Sequence, residues 1–107
     1  MLKLTNELIT SNYTEILHEK EFDHVPNNFI INKVDYEDNG SPTLAIINFQ
    51  NGLIKDNGIN GISNEDLIAI VIKRLECIQN TKLKSSENAL ALIKLEECLM
   101  ALKKYNK

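Results

Sequence analysis

The chain has 107 residues, a formal net charge of −3 and a charged fraction of 25%. This length allows one domain with a modest core but no large enclosed active site. Acidic and basic residues are interspersed without a basic stripe, which argues against long nucleic acids as partners but leaves small phosphorylated ligands open. The chain has no secretory signal and no apolar run near the roughly 20 residues of a membrane span. We therefore expect a cytoplasmic protein with no membrane partner.

The first 28 residues carry the weakest pattern. Their apolar positions are compatible with either a short strand or a short helix: Leu2, Leu4, Leu8 and Ile9. His18 and His24 lie in this region without further ligands at metal-binding spacing, so we interpret them as solvent-exposed or capping residues.

A β-hairpin is predicted next. Residues 29–36 and 44–49 are rich in β-branched and aromatic side chains, and the turn signature Asp38-Asn39-Gly40 lies between them. The Asn51-Gly52 turn that follows allows a third short strand at about residues 53–55.

The first helix is predicted over about residues 63–80. Ser63 is placed to cap it, with Asp66 three residues later in a capping-box relation. The helix is apolar from its first turns, which indicates burial on more than one side. Its apolar positions are Leu67, Ile68, Ile70, Val71, Ile72, Leu75 and Ile78.

The second helix is predicted over about residues 85–105, with Ser85 or Ser86 as its cap. It has two apolar stripes roughly 100° apart. The main stripe is Leu92, Leu95, Leu99 and Leu102, and the second is Ala89, Ile93 and Met100. The second stripe favours a homo-oligomer, at least a dimer, although a sheet covering both stripes within a monomer remains the alternative.

These elements predict an α+β fold. A small antiparallel sheet in the N-terminal half, about residues 1–62, is followed by the two C-terminal helices in a single domain.

No arrangement of residues indicates catalysis, a metal site or a cofactor. The segment 52–61 is rich in Gly and Asn but lacks the GK[ST] ending of a phosphate-binding loop, so its glycines are interpreted as turn formers. Cys77 and Cys98 lie in apolar helical contexts without ligand-like spacing, which favours buried reduced thiols. No Ser or Cys has an evident His/Asp partner.

One region suits an anionic ligand. Lys82 and Lys84 precede the start of the second helix, where free backbone N–H groups favour anions and Asn88 could present a carboxamide. The alternative is a capped helix with solvated lysines. Lys103, Lys104 and Tyr105 at the other end could add cations and a ring, or simply complement the helix dipole.

From Asn48 to Leu102, about half of the chain, the sequence resembles the phage Thoeris anti-defence proteins of the first-described type. The matching segments are Asn48-Phe49-Gln50-Asn51-Gly52, Gly58-Ile59-Asn60-Gly61-Ile62, Asn64-Glu65-Asp66-Leu67, Ile70-Val71-Ile72, Arg74-Leu75, Glu87-Asn88-Ala89-Leu90-Ala91-Leu92 and Lys94-Leu95-Glu96-Glu97. The ordered set is more specific than any one of its motifs.

The resemblance implies sequestration without catalysis. Such proteins capture the cyclised ADP-ribose signal of a TIR-domain enzyme, and some also hold cyclic oligonucleotides at separate sites of a hexamer built from dimers. It implies a ligand among cyclic ADP-ribose isomers or other cyclic signalling nucleotides, and action in the cytoplasm of the infected bacterial host. It also implies the family fold, a small antiparallel sheet with two C-terminal helices.

By position, the resemblance makes Asn88 the ligand-contacting Asn of the family. Ile78 stands where members often have a Phe that packs on adenine, and Tyr105 stands where they carry an Arg; a further Arg would lie beyond Lys107. Either neighbouring lysines compensate for these departures, or a different cyclic nucleotide is the main ligand.

The leading interpretation is therefore a non-enzymatic oligomer that binds cyclic nucleotides at Ile78, Asn88, Lys82, Lys84, Lys103, Lys104 and Tyr105. Two alternatives stay open. One is a protein-interaction module that uses the exposed stripe of the last helix, and the other is a small hydrolase that degrades the signal.

Overall fold

The computed structural model describes residues 1–5, 12–20, 25–34 and 40–105. These contain four strands, β1 (Leu2–Lys3), β2 (Thr14–His18), β3 (Asn28–Lys33) and β4 (Thr43–Asn48), followed by three helices, α1 (Ile54–Asn57), α2 (Asn64–Gln79) and α3 (Ser86–Tyr105). The chain forms two compact units, Met1–Ile62 and Ser63–Lys107. No helix within the described ranges is long and apolar enough to cross a membrane.

The first unit contains an antiparallel sheet with strand order β1-β2-β3-β4. The pairing of β3 with β4 confirms the predicted hairpin, although β3 ends at Lys33 and a bulge lies between Ile31 and Asn32. The predicted turn at residues 38–40 lies largely outside the described residues. At the start of the chain, Leu2 lies in β1, so at that position a strand forms and not a helix, whereas Leu8 and Ile9 are not among the described residues. Strand β2 was not predicted.

An aromatic cluster lies on one face of this sheet. His18 is opposite Phe29 in the β2–β3 register, their ring centroids are 6.0 Å apart, and Phe49 meets Phe29 edge-on at 5.6 Å. His18 is only 6% exposed, so its interpretation as a solvent-exposed or capping residue is wrong. Its Nδ1–H donates to the Glu19 carbonyl oxygen at 2.8 Å, since a carbonyl can only accept. His24 lies outside the described residues.

The loop after β4 contradicts the predicted third strand. Instead of a strand at residues 53–55, the chain forms the short helix α1, in which the Leu53 carbonyl accepts from the N–H groups of Asp56 and Asn57. Gly58 ends this helix at φ 70° and ψ −179°, a conformation that is essentially restricted to glycine. The β-propensity of Leu53 and Ile54 predicted a strand, but the local backbone hydrogen bonds to the Leu53 carbonyl form a helical turn instead.

Two amide side chains hold the loop closed. Gln50 donates from Nε2 to the Gly58 carbonyl at 2.8 Å and accepts from Asn60 N–H at 3.0 Å. Asn60 in turn exchanges two hydrogen bonds of 2.8 Å with the backbone of Asn51. At Gly61 the backbone passes so close to β4 that a Cβ would lie 2.5 Å from the Phe49 carbonyl oxygen. The Asn and Gly residues of this segment are therefore structural.

Helix α2 begins as predicted. The Ser63 hydroxyl accepts from Asp66 N–H at 3.2 Å, and the Asp66 carboxylate accepts from Ser63 N–H at 3.0 Å, which completes a capping box. Burial is one-sided: Ile72 is 8% exposed, whereas Ile70 and Val71 are exposed. The prediction that this helix is buried on more than one side is therefore wrong for the single chain.

Helix α3 packs against α2 through its main stripe. The four leucines of that stripe are half-buried: Leu92, Leu95, Leu99 and Leu102. The second stripe is exposed, with Ile93 at 52% and Met100 at 64%. Cys77 and Cys98 are free and exposed, so the expectation of buried thiols is wrong, because both lie off the faces through which the two helices meet.

Candidate functional site

An open pocket of about 320 Å³ lies at the C-terminal end of α2, within the helical unit. Its lining comes from the last two turns of α2 and from the connection to α3: Lys73, Arg74, Cys77, Ile78, Thr81 and Leu83. The predicted contact residue Ile78 thus lies in a concave surface large enough for part of a nucleotide.

The pocket combines two kinds of chemistry. Ile78 and Leu83 provide aliphatic surface on which a flat ring could rest. The lining surface is mostly apolar, and Lys73 and Arg74 add two positively charged residues that form no ion pair within the described part of the chain. An anionic group at this place would need such cations, because the C-terminal end of a helix carries a partial negative charge.

Hydrogen bonds fix the connection that closes one side of the pocket. The Thr81 hydroxyl donates to the Ile78 carbonyl at 2.6 Å and accepts from Leu83 N–H at 3.1 Å. The Gln79 side chain bonds both backbone groups of Ser85, donating at 2.9 Å and accepting at 3.0 Å. The connection is therefore held by specific contacts within the helical unit.

Asn88 lies in the first turn of α3, just beyond this connection. Its backbone N–H donates to the Ser85 hydroxyl at 3.0 Å, which identifies Ser85 as the cap of α3. Its half-buried carboxamide has no hydrogen-bond partner within the described ranges. Lys82 and Lys84 are exposed on the connection, each next to a residue that lines the pocket.

The structure divides the predicted site residues between the two ends of α3. Ile78, Lys82, Lys84 and Asn88 share the end at the connection, while Lys103, Lys104 and Tyr105 form the last turn. Lys103 lies 15 residues after Asn88 on one continuous helix, which is about 22 Å at 1.5 Å per residue. Lys103 and Lys104 are exposed, whereas the side chain of Tyr105 lies outside the described part. One chain does not bring the two groups together.

Four of the residues that line the pocket were not predicted from the sequence: Lys73, Arg74, Cys77 and Leu83. A signal was present in the helical spacing. Arg74 precedes Ile78 by four residues, which places both side chains on one face of α2, and Lys73 precedes Cys77 by the same interval. The predicted contact at Ile78 could therefore have been extended one turn backwards along the helix.

No carboxylate or imidazole lines the pocket, and the titratable side chains in its lining are those of Lys73, Arg74 and Cys77. Elsewhere in the described ranges, no three His, Cys, Asp or Glu side chains gather as a metal-binding group would require.

Two comparisons relate the chain to known proteins. A family model described as "Acb2/Tad1, hairpin domain" matches residues 42–105, which extend from the start of β4 to the end of α3. The protein "Thoeris anti-defense 1" of Bacillus phage SBSphiJ7 is 36% identical over 127 aligned positions, covering 97% of this chain and 89% of that protein.

Proposed function

Because the chain belongs to the Acb2/Tad1 family and is a phage Thoeris anti-defence protein, we propose that it sequesters a cyclic signalling nucleotide. The ligand class is a cyclic ADP-ribose isomer, with cyclic oligonucleotides as further candidates. Binding in the cytoplasm of the infected host would keep the signal from its effector and so block antiphage defence.

The observation that supports this proposal best is the pocket at the end of α2. Its aliphatic surface at Ile78 and Leu83 offers a place for a base. Its cations Lys73 and Arg74, which form no ion pair among the described residues, offer a place for a pyrophosphate. The free carboxamide of Asn88 stands at the same end of the helix pair. These groups together match the polar, charged and apolar parts of a small nucleotide.

The same residues suggest how the chain compensates for its departures from the family pattern. Ile78 replaces an aromatic residue, which forfeits a base-stacking contribution of about 1–3 kcal/mol. Tyr105 replaces an Arg and cannot neutralise a phosphate. We propose that Lys73 and Arg74 supply charge in its place, because charge-assisted hydrogen bonds to phosphate are about twice as strong as neutral ones.

Capture without turnover fits this pocket. A sponge needs a low Kd, and a nanomolar Kd corresponds to about −12 kcal/mol. It has no need of a general base. In this proposal the protein inhibits by binding the signal without turnover. The concentration of its binding sites must therefore match that of the signal.

Native mass spectrometry with a panel of cyclic nucleotides tests the proposal. We expect one class of ligand to add intact mass to the protein in a fixed stoichiometry. Heating the complex should then release the same compound, as checked by chromatography. Steady conversion to a linear or smaller product would instead support a hydrolase.

The role of the two cations is tested by substitution. Lys73→Ala and Arg74→Ala should each weaken binding by about 1.5–3 kcal/mol, the range for hydrogen bonds to charged groups. Lys94→Ala is the matched control, since Lys94 is an exposed α3 lysine outside the pocket. Isothermal titration calorimetry with the ligand found above gives the three affinities, and equal losses in all three variants would exclude a specific role.

A protein-interaction module is the second candidate function. The observation that favours it is the exposed second stripe of α3, which includes Ile93 and Met100. A host protein could dock on this face. Self-association through the same stripe would remove that possibility, and the oligomeric state of the free protein therefore distinguishes the two candidates.

A further inference from the structure

Every glycine of this chain follows an asparagine, in the pairs Asn39-Gly40, Asn51-Gly52, Asn57-Gly58 and Asn60-Gly61. Because glycine has no Cβ, its backbone nitrogen can approach the preceding carboxamide without steric hindrance. Attack of that nitrogen on the asparagine Cγ is the first step of deamidation, a modification that needs no enzyme. Asn39 lies outside the described residues, and the other three pairs lie within them in one loop. Their hydrogen bonds show which pair is open to this reaction.

The Asn60 carboxamide is held at both of its polar atoms. Its Oδ1 accepts from Asn51 N–H and its Nδ2 donates to the Asn51 carbonyl, both at 2.8 Å. The next residue, Gly61, passes close to the backbone of Phe49. Bringing the Asn60 Cγ onto the Gly61 nitrogen would break both hydrogen bonds in a crowded part of the loop, so this pair is protected.

Helix α1 restrains the Asn57-Gly58 pair. The Asn57 Nδ2 donates to the Leu53 carbonyl at 3.2 Å. The nitrogen that would attack it belongs to Gly58, whose N–H donates to the Ile54 carbonyl at 2.8 Å. Ring closure would require the Gly58 nitrogen to lose this proton and turn towards the Asn57 Cγ. Both hydrogen bonds oppose that movement.

Asn51 differs from the other two because only its backbone is held. Asn60 bonds its N–H and its carbonyl, whereas its exposed carboxamide has no hydrogen-bond partner among the described residues. The Gly52 carbonyl accepts from Gln50 Nε2 at 3.2 Å, but the Gly52 N–H has no acceptor within the described ranges. Neither of the two reacting groups therefore has to give up a hydrogen bond.

We propose that Asn51 is a site of spontaneous deamidation in the folded protein, while Asn57 and Asn60 are protected. The Gly52 nitrogen forms a bond to the Asn51 Cγ, and the Cγ–Nδ2 bond breaks as ammonia leaves with the proton of the Gly52 amide. Water then opens the cyclic imide at either carbonyl, which gives aspartate or isoaspartate. The net change exchanges ammonia for water without oxidation or reduction, and it adds one negative charge to the formal −3.

The isoaspartate product changes the loop that Gln50 and Asn60 hold closed. In isoaspartate the main chain runs through the former side chain, so one methylene group is added between the Asn51 Cα and Gly52. The carbonyl to which Asn60 Nδ2 donates becomes a free carboxylate. Ageing would thus alter one partner of the Asn51–Asn60 pair and leave the other intact. This inference does not depend on nucleotide binding.

Ageing the full chain in oxygen-labelled water tests the proposal, because each deamidation in the folded protein takes one labelled oxygen. Digestion in ordinary water then keeps deamidation during sample handling free of label, and tandem mass spectrometry locates the label at each asparagine. The reference is the same protein unfolded in guanidinium chloride, where no folded structure protects any pair. Each folded rate is divided by the unfolded rate of the same pair.

We expect this ratio to be at least roughly tenfold higher for Asn51 than for Asn57 and Asn60, equivalent to about 1.4 kcal/mol in activation free energy. Equal ratios at the three positions would overturn the proposal. So would an absence of labelled product at Asn51 in the folded protein while the unfolded chain reacts.

The products and the pH dependence test the chemical route separately. The imide route gives isoaspartate as well as aspartate at position 51. Its rate should rise with pH, because the Gly52 nitrogen attacks after losing its proton. Aspartate alone, or a rate that falls as the pH rises, would indicate direct hydrolysis of the carboxamide and would contradict attack by Gly52.

Discussion

Ser85 and Ser86 are neighbours in the sequence, but only Ser85 performs the capping role. Its hydroxyl accepts the backbone N–H of Asn88 at 3.0 Å, and its backbone is held by the side chain of Gln79. Ser86 reaches only the carboxylate of Glu87 at 3.3 Å and is exposed. This single residue therefore fixes where α3 starts and where Asn88 stands.

For the single residue Ser85, we predict that Ser85→Ala lowers the free energy of unfolding by about 1 kcal/mol, the usual cost of losing a helix cap. Ser86→Ala is the matched control and should change it by less than about 0.5 kcal/mol. Urea denaturation followed by circular dichroism measures both. An equal loss in the two variants would contradict the assignment of Ser85 as the cap.

Single residues also mark where the sequence was informative and where it was not. The Ser63 and Asp66 capping box was predictable, because both partners lie within four residues of each other. The burial of His18 was not, since it follows from the long-range pairing of β2 with β3. Lys73 and Arg74 were missed because a pocket is formed by neighbours in space as well as in sequence.

Helix α3 carries two apolar stripes, and the structure assigns them different environments. Its leucine stripe packs on α2, while its second stripe stays exposed in the single chain. The 3-4-3 leucine spacing predicted the first assignment correctly. The sequence could not show what covers the second stripe, because hydrophobic periodicity identifies an apolar face of a helix without identifying its partner.

We predict that the second stripe forms a subunit interface. Ile93→Glu combined with Met100→Glu should give a monomer, because each interface would bury charges without partners. Glu97→Gln is the matched control, as it alters an exposed position on the same helix without adding charge. Size-exclusion chromatography with light scattering measures the masses. A soluble assembly of unchanged mass would show that this stripe is not an interface.

Elements without strong periodicity were the hardest to predict. The four-residue helix α1 lies where a strand was expected, and its stabilising contacts are local backbone bonds to Leu53. Strand β2 was not recognised because five residues with mixed polarity give little pattern. The hairpin of β3 and β4 was predictable, since both strands are rich in β-branched residues.

At the scale of the whole molecule, the length of α3 bears on how a binding site is completed. Asn88 and Lys103, which are both predicted to contact the ligand, are separated by about 22 Å along one helix, too far for one small nucleotide to reach both. If both groups contact the ligand, each site must take Asn88 from one subunit and the C-terminal lysines from another. A homodimer would then contain two shared sites.

Mixing two defective variants tests this arrangement. Asn88→Ala should weaken binding by about 1–3 kcal/mol, and Lys103→Ala with Lys104→Ala should weaken it as well. A heterodimer of the two variants would have one site with both defects and one intact site. We therefore predict that refolding the variants together restores parental affinity at half of the sites of each heterodimer, measured by calorimetry. No recovery would indicate that each site is built within one chain.

The two cysteines are the only ones among the 107 residues, and both side chains are exposed. Cys77 lines the pocket, whereas Cys98 lies on α3 away from that lining. Replacing either one by Ser leaves a chain with a single attachment point for a fluorophore or spin label. If the proposed ligand binds in this pocket, a probe at Cys77 would report its occupancy, while a probe at Cys98 would report on helix α3 in solution. The same thiols call for a reductant during purification, because exposed cysteines can join chains by adventitious disulfides.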